Sequence, residues 1–174
     1  MRRSTMSAIA LFLKNALFTV VVPGVVAVYL PLTMAAEGLV DQWTPGRTVA
    51  LVLLIAGAAL YLWCLWEFAA YGRGTPAPFD APRQLVARGP YRWVRNPMYL
   101  GVELVIVGWS ALFPSLSLAL YALLVALAFH GFVVLYEEPT LRRKFGAGYR
   151  KYCEQVGRWL PARKQGTGIG DQNG

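Results

Sequence analysis

One stretch of apolar sequence, from Pro97 to Tyr136, restricts the possible folds of this chain more than any other feature. It is too long for a single membrane-spanning helix, because about 20 residues suffice to cross the hydrocarbon core. The run Phe113-Pro114-Ser115 lies near its middle, where a turn residue such as proline is expected. The stretch therefore predicts two antiparallel helices, a tight helical hairpin over about 97–136.

Two further apolar segments precede this hairpin, at Ile9 to Met34 and at Val49 to Ala70. The whole chain is 56% hydrophobic and 15% charged, a balance that points to a membrane protein rather than a soluble domain. We therefore predict an all-α, multi-pass transmembrane protein with four spans. A cleaved signal peptide is the alternative for the first segment, with Arg2-Arg3 as its basic region.

The charges fit four spans in one orientation. The connector over 37–47 has two acids and one base, whereas the connector over 73–95 has five bases and one acid. The tail after Tyr136 has eight bases and four acids. Because basic loops stay in the cytoplasm, both termini are expected there, in a bacterial or archaeal plasma membrane. The net charge of +8 is thus attributed to membrane topology and anionic lipids, and not to nucleic acid.

Domain boundaries follow from the same segments. Residues 1–48 are expected to form the first span and an external connector, and 49–161 the transmembrane core. After Pro139, apolar residues recur at helical spacing among basic ones, which predicts an interfacial amphipathic helix interrupted at Gly146 or Gly148. The polar, glycine-rich residues 162–174 are expected to be a disordered tail.

Two polar blocks flank the hairpin. Asn96-Pro97 is suited to start a helix, and the free N–H groups there, with Arg95 beside them, suit a carboxylate ligand. Glu137 and Glu138 lie at the other end, where adjacent carboxylates need a cation. Either Arg95 pairs with them structurally, or they hold a cationic or hydroxyl-rich ligand. Pro139 is expected to keep Glu138 out of helical conformation, with its side chain turned inward.

Three ionisable residues lie within or beside the spans. His130 is a candidate proton acceptor, although a packing histidine is the commoner case. Glu103 has two equally good interpretations, as a residue paired within the helix interior or as part of the functional site. Glu67 is expected to extend its carboxylate toward the membrane interface. With one histidine, and with Cys64 and Cys153 far apart, no metal site is expected.

The ordered motifs resemble those of a known family. They are Gly89-Pro90-Tyr91-Arg92, Arg95-Asn96-Pro97-Met98-Tyr99-Leu100-Gly101, Glu137-Glu138-Pro139, Phe145-Gly146 with Tyr149 and Tyr152, and Arg158-Trp159-Leu160-Pro161. This set resembles the integral-membrane methyltransferases that include isoprenylcysteine carboxyl methyltransferases and phospholipid N-methyltransferases. The carboxyl methyltransferases usually have histidine where this chain has Asn96, so the resemblance is closer to the phospholipid enzymes.

The resemblance implies an S-adenosylmethionine-dependent methyltransferase that acts on a lipid or another hydrophobic small molecule, without metal or nucleic acid. For such an enzyme we expect Arg95, Glu138 and His130 to be catalytic. The implied cofactor-binding residues are Gly72, Gly74, Arg95, Asn96, Pro97, Tyr99, Gly101, Glu137, Glu138 and Tyr149. Arg95 and Asn96 would take the cofactor carboxylate, the glutamates its ammonium or ribose, and a tyrosine ring its cation.

A protein of another class also fits the charges. In a small transporter or assembly factor without enzymatic activity, the arginines and glutamates would form a structural belt of ion pairs. Transporter charges are expected near the bilayer midplane between internal repeats. Here they cluster at one end of the hairpin and no repeat is visible, which favours the enzyme.

Overall fold

The computed structural model describes residues 21–35, 44–68, 70 and 85–162. The helices are α1 (Val21–Ala35), α2 (Pro45–Glu67), α3 (Pro97–Leu112), α4 (Leu116–Phe132) and α5 (Glu138–Gln155), with a 3₁₀ turn at Gly89–Arg92 and a π-helical turn at Val133–Glu137. Within these ranges the only extended pairing is an isolated bridge between Val94 and Gly157. The predicted all-α fold is confirmed.

The multi-pass membrane character is confirmed as well. Helix α2 and the continuous helix Leu116–Gln155 are long and apolar enough to cross a bilayer, and α1 and α3 are shorter apolar helices. The apolar part of the long helix ends at Tyr136, and α5 is rich in charge beyond it. The count of four spans stays a prediction, as do the boundaries at 48 and 161. Nearly all of the predicted tail lies outside the described residues.

The central hairpin forms as predicted. Helix α3 ends at Leu112 and α4 begins at Leu116, so the turn occupies 113–115. Two side chains of the hairpin donate hydrogen bonds to backbone carbonyl oxygens of helix α1. Trp109 Nε1 donates to Ala27 at 2.9 Å and the Tyr121 hydroxyl donates to Val26 at 2.7 Å. These carbonyls lie in a π-helical stretch, Val25–Tyr29, and the hydrogen bonds fix α1 against the hairpin.

Helices α2 and α3 pack closely because glycines face each other. A Cβ atom added to Gly57 would lie 2.6 Å from the carbonyl oxygen of Gly101. One added to Gly101 would lie 2.9 Å from the backbone nitrogen of Tyr61. Neither contact can be relieved by a side-chain rotation, since the blocking atoms are backbone. Gly101 was predicted from the resemblance to bind cofactor. Its observed role is to let α2 and α3 approach each other closely.

Gly101→Ala is expected to destabilise the protein by about 1–3 kcal/mol, because the added methyl group pushes α2 and α3 apart. Gly131→Ala is the matched control. Gly131 is also helical, and a Cβ there meets nothing within 4 Å. The control should be neutral or slightly stabilising. Thermal unfolding in detergent measures both, and equal melting temperatures for the two variants would contradict the packing argument.

The start of α5 differs from prediction. Glu138 has φ −60° and ψ −45°, so it is helical, and the expectation that Pro139 would exclude this conformation is wrong. The residue before a proline only prefers extended conformation, and the bond from the Glu138 N–H to the Val133 carbonyl, across the π-helical turn Val133–Glu137, holds Glu138 helical. The predicted interruption of the amphipathic helix is confirmed at Gly146, where φ is +52°.

Candidate functional site

Three segments of the chain meet at the polar end of the hairpin: the start of α3, the junction of α4 and α5, and the residues after α5. The backbone N–H of Arg95 donates to the Gly157 carbonyl at 2.8 Å, beside the Val94–Gly157 bridge. The Tyr152 hydroxyl donates to the Tyr91 carbonyl at 2.7 Å. These bonds hold the end of α5 against the entry to α3, so that their side chains form one site.

A buried carboxylate organises this site. Glu138 is 4% exposed and pairs with Arg95 at 3.0 Å, with Arg158 at 2.7 Å and, more loosely, with Arg142 at 3.7 Å. Burial alone would raise the pKa of Glu138, but the hydrogen bond from Arg158 and the charges of the three arginines outweigh it. The pKa therefore lies below the ordinary glutamate value, and Glu138 is ionised at neutral pH.

Arg95 has binding capacity that this cluster does not use. Its Nη1 atom donates both to Glu138 Oε1 and to Cys153 Sγ, each at 3.0 Å. Its Nε atom is buried and has no hydrogen-bond partner among the described residues. A buried guanidinium N–H without an acceptor is costly, so an acceptor is expected to complete it.

Arg95 also lines a cavity of about 90 Å³ between the helices. The cavity has polar walls at one end and apolar or aromatic walls elsewhere: Val22, Pro23, Val26, Tyr61, Phe68, Tyr91, Arg95, Asn96, Met98, Tyr99, Val102, Phe129 and Glu137. Within it, the Tyr99 hydroxyl donates to Glu137 Oε2 at 2.8 Å. A cationic hydrogen-bond donor and a carboxylate thus face one small, partly open space, which we call the polar cavity.

A second cavity, of about 320 Å³, lies between α3 and α4. Its walls are Tyr99, Leu100, Glu103, Ala126, Leu127, Phe129, His130 and Trp159, and we call it the lateral groove. Tyr99 and Phe129 line both cavities, and their ring centroids are 4.8 Å apart. The two spaces therefore adjoin each other at these two side chains.

The structure brings most of the predicted site residues together. Arg95, Asn96, Tyr99 and Glu137 line the polar cavity, and Glu138 lies directly behind Arg95. Pro97 is the first residue of α3. Asn96 stands at the N-cap position, but its side chain does not cap the helix and donates instead to the Arg158 carbonyl at 3.2 Å. The predicted helix start at Asn96-Pro97 is thus confirmed, without a capping bond from the Asn96 side chain.

Other predicted residues do not line this cavity, although the Tyr149 side chain hydrogen-bonds Arg95. Tyr149 is 2% exposed and packs in a cluster with Tyr152 and Val156, outside the cavity lining. His130 lines the lateral groove, where its Nδ1 accepts a hydrogen bond from Trp159 Nε1 at 3.1 Å. An accepting nitrogen carries no proton, so His130 takes up a proton at Nδ1 only if that bond breaks. Gly72 and Gly74 lie outside the described residues.

Sequence reasoning missed the role of Arg158. Its side chain makes two hydrogen bonds to Glu138, at 2.7 and 3.1 Å, and its backbone carbonyl accepts from Asn96. The one available signal was the block Arg158-Trp159-Leu160-Pro161, which carried the resemblance without an assigned role. Glu67 was also misjudged, because it is buried against Gly89 and accepts from Trp63 Nε1 at 3.3 Å rather than extending to the interface.

The helices, the buried ion cluster and the polar cavity together define an integral membrane protein with a small charged pocket at one end of a transmembrane hairpin. The chain belongs to the phospholipid methyltransferase family, whose model matches residues 46–148. This match covers the α2–α3 packing, both polar blocks and the first part of α5. Family membership indicates a membrane methyltransferase and confirms the resemblance drawn from the motifs.

Individual proteins add little to this assignment. An uncharacterized protein of Haemophilus influenzae is 33% identical over 63 residues, which is 36% of this chain and the whole of that protein. No solved structure matches this chain.

Proposed function

We propose that this protein is an S-adenosylmethionine-dependent methyltransferase that methylates a lipid-like or other hydrophobic acceptor within the membrane. The observation that carries the proposal is the buried Arg95 Nε, which lacks a partner among the described residues at the wall of a cavity that also contains Glu137. A ligand with one carboxylate and one ammonium complements these two charges. Family membership supports a methyl donor as that ligand.

The residues present fit the polar groups of S-adenosylmethionine. Arg95 would bind its carboxylate through Nε, while Nη1 stays bonded to Glu138. Glu137 would bind the ammonium, and the hydrogen bond from Tyr99 fixes the orientation of that carboxylate. Aromatic rings on the cavity wall, those of Tyr61, Tyr91 and Phe129, suit a sulfonium cation.

The cavity volume limits what it can enclose. The space of about 90 Å³ is partly open, and the amino-acid portion of the cofactor is the part that matches its two charged residues, Arg95 and Glu137. The remainder would extend beyond the polar cavity. We retain Gly72 and Gly74, in the connector, as proposed contacts for it, with Pro97, Gly101 and Tyr149 as residues that shape the site rather than touch the ligand.

The cofactor, when bound, supplies an electrophilic methyl group on sulfur. The protein's own contribution is chiefly positional. Arg95, held in place by Glu138, and Glu137 would fix the ligand from the polar end, and the aromatic walls exclude water, so that donor and acceptor are aligned. Such alignment supplies much of the acceleration in a displacement reaction. If the acceptor carries a proton, Glu103 is the proposed base, and His130 can act as one at Nδ1 only after its bond from Trp159 breaks.

The proposed setting is a bacterial or archaeal plasma membrane crossed four times, with both termini in the cytoplasm. The basic connector over 73–95 and the basic tail support this orientation. The cofactor would then enter from the cytoplasm and the acceptor from the bilayer.

Calorimetric titration of the detergent-purified protein with S-adenosylhomocysteine tests the proposal. Saturable binding with a stoichiometry near one is expected, because this product-like ligand keeps both the carboxylate and the ammonium. Titration with adenosine, which lacks both groups, is the matched control and should bind much more weakly. If a protein with a cooperative melting transition binds neither ligand, the methyltransferase proposal is contradicted, and the ion cluster would have the structural role of a transporter or assembly factor.

A further inference from the structure

Two consecutive residues after α5, Arg158 and Trp159, contact different parts of the molecule. The Arg158 side chain donates two hydrogen bonds to Glu138, the carboxylate that holds Arg95 at the wall of the polar cavity. The Trp159 side chain instead lines the lateral groove, where its Nε1 donates to His130 Nδ1 at 3.1 Å. Arg158 itself lines neither cavity. One short segment therefore joins the buried ion cluster to the groove.

The segment from Gly157 to Leu160, which we call the strap, is a tight turn. A Cβ atom added to Gly157 would overlap the backbone carbonyl oxygen of Leu160, so the chain folds back within four residues. The Gly157 carbonyl also accepts from the backbone N–H of Arg95, and the Arg158 carbonyl accepts from the Asn96 side chain. The side chains of the two central residues of the strap are therefore expected to move together.

The outer half of the strap is held by polar contacts that solvent can reach. The Arg158 side chain is 33% exposed, Leu160 is 77% exposed, and the bond between Trp159 and His130 is exposed as well. An exposed hydrogen bond is exchanged for one to water at little net cost, so such a segment opens more easily than a packed core. The ion pair of Arg158 with Glu138 is then the strongest contact that keeps the strap closed.

The closed strap covers the reactive nitrogen of His130. A neutral imidazole has one ring nitrogen without a proton, and in His130 this is Nδ1, the atom that accepts from Trp159. The His130 side chain is otherwise exposed. The bond from Trp159, rather than burial, is therefore what makes Nδ1 unavailable to a proton or an electrophile.

We propose that Arg158 is a positioning residue that acts on His130 through Trp159, so that the strap couples the polar cavity to the lateral groove. A ligand that orders Arg95 and Glu138 favours the closed strap, and by reciprocity the closed strap favours that ligand. The inference rests on the proposed function in one respect, that the ligand is the cofactor. His130 is then withheld from proton transfer while the methyl donor is bound.

The chain has one histidine, so the reactivity of His130 can be measured directly. Diethyl pyrocarbonate acylates the unprotonated nitrogen of an imidazole, and mass spectrometry of the untagged, detergent-purified protein follows the rate at His130. Arg158→Gln should raise this rate by about tenfold, within the usual range of coupling between sites, although Arg158 does not line the groove. Arg150→Gln, which removes an exposed arginine from α5, is the matched control and should react at the wild-type rate.

Trp159→Phe keeps an aromatic ring in the groove and removes the N–H that covers Nδ1. It should raise the rate at least as much as Arg158→Gln, and the double variant should react no faster than Trp159→Phe alone, because both changes act through the same bond. This variant tests the strap even if Arg158→Gln fails to fold. A wild-type rate in Trp159→Phe, equal rates in Arg158→Gln and Arg150→Gln, or multiplied effects in the double variant would overturn the proposal.

Adding S-adenosylhomocysteine tests the link to the polar cavity. It should slow the reaction of the wild type and leave the rate of Trp159→Phe unchanged. Equal protection of both proteins would mean that the ligand shields His130 directly, and the coupling would be wrong. If S-adenosylhomocysteine does not bind at all, the proposed function fails, whereas the comparison of Arg158→Gln with Arg150→Gln needs no ligand and still decides whether Arg158 acts on His130.

Discussion

Glu138→Gln is expected to destabilise the protein by about 3 kcal/mol or more, the usual cost of removing one partner from a buried ion pair. The neutral amide would leave Arg95 and Arg158 close together without the carboxylate that both contact. Mutual repulsion would displace Arg95 from the polar cavity, so binding of S-adenosylhomocysteine should be lost along with stability. Thermal unfolding and calorimetric titration in the same detergent measure the two effects.

The destabilisation caused by Glu138→Gln should be smaller in acid than at neutral pH. The pKa of Glu138 is lower in the folded protein than in the unfolded chain, where a glutamate has a pKa of about 4.3. At any pH above that unfolded value, the ionised carboxylate of Glu138 therefore stabilises the fold. That contribution is lost as the pH falls below this value and through the lower folded pKa. The difference in stability between the wild type and Glu138→Gln should therefore be constant at neutral pH and shrink in acid.

Glu154→Gln is the matched control for this prediction, since it removes a glutamate from an exposed position of the same helix. It should leave stability and ligand binding unchanged. A melting temperature for Glu138→Gln equal to that of the wild type, at neutral pH, would show that the ion cluster contributes nothing to the fold.

Arg95→Lys is expected to weaken binding of S-adenosylhomocysteine by about a hundredfold, with little loss of stability. Lysine keeps the positive charge beside Glu138, which also remains paired with Arg158 and Arg142. It removes the buried Nε–H and the planar geometry that binds a carboxylate through two parallel bonds. Because this variant keeps the charge, a loss of affinity for S-adenosylhomocysteine would be due to the changed geometry of the hydrogen-bond donors.

Arg92→Lys is the control, because Arg92 is exposed on the 3₁₀ turn and does not line the polar cavity. Its affinity for S-adenosylhomocysteine should equal that of the wild type. If Arg95→Lys binds as tightly as Arg92→Lys, the ligand carboxylate does not depend on Arg95 and the site must be reassigned.

The sequence was most informative where a local pattern decides the outcome. Proline in an apolar run predicted the turn at 113–115, and glycine predicted the kink in α5. The two polar blocks were expected at the same membrane face, which left open a pairing of Arg95 with the glutamates, and Arg95 does pair with Glu138. Each of these predictions needed only residue type and hydrophobic length, and so required no knowledge of tertiary packing.

The remaining features depended on tertiary packing. Arg158 follows α5 and reaches Glu138 only because Gly157 pairs with Arg95, and no local signal encodes that pairing. Glu138 is helical and its N–H bonds the Val133 carbonyl across a π-helical turn, which residue propensities did not indicate. His130 was recognised as ionisable, but the bond from Trp159 that occupies its Nδ1 comes from a distant segment.

The contact between Arg95 and Gly157 has a consequence for biosynthesis. Chains emerge amino terminus first, and membrane helices insert as they are made. The hairpin can therefore be in the bilayer before Cys153, Gly157 and Arg158 have been synthesised. Until then Glu138 lacks Arg158, and Arg95 lacks the backbone bond that fixes it. The pocket is completed last, so a nascent chain is membrane-bound before it is able to hold a ligand.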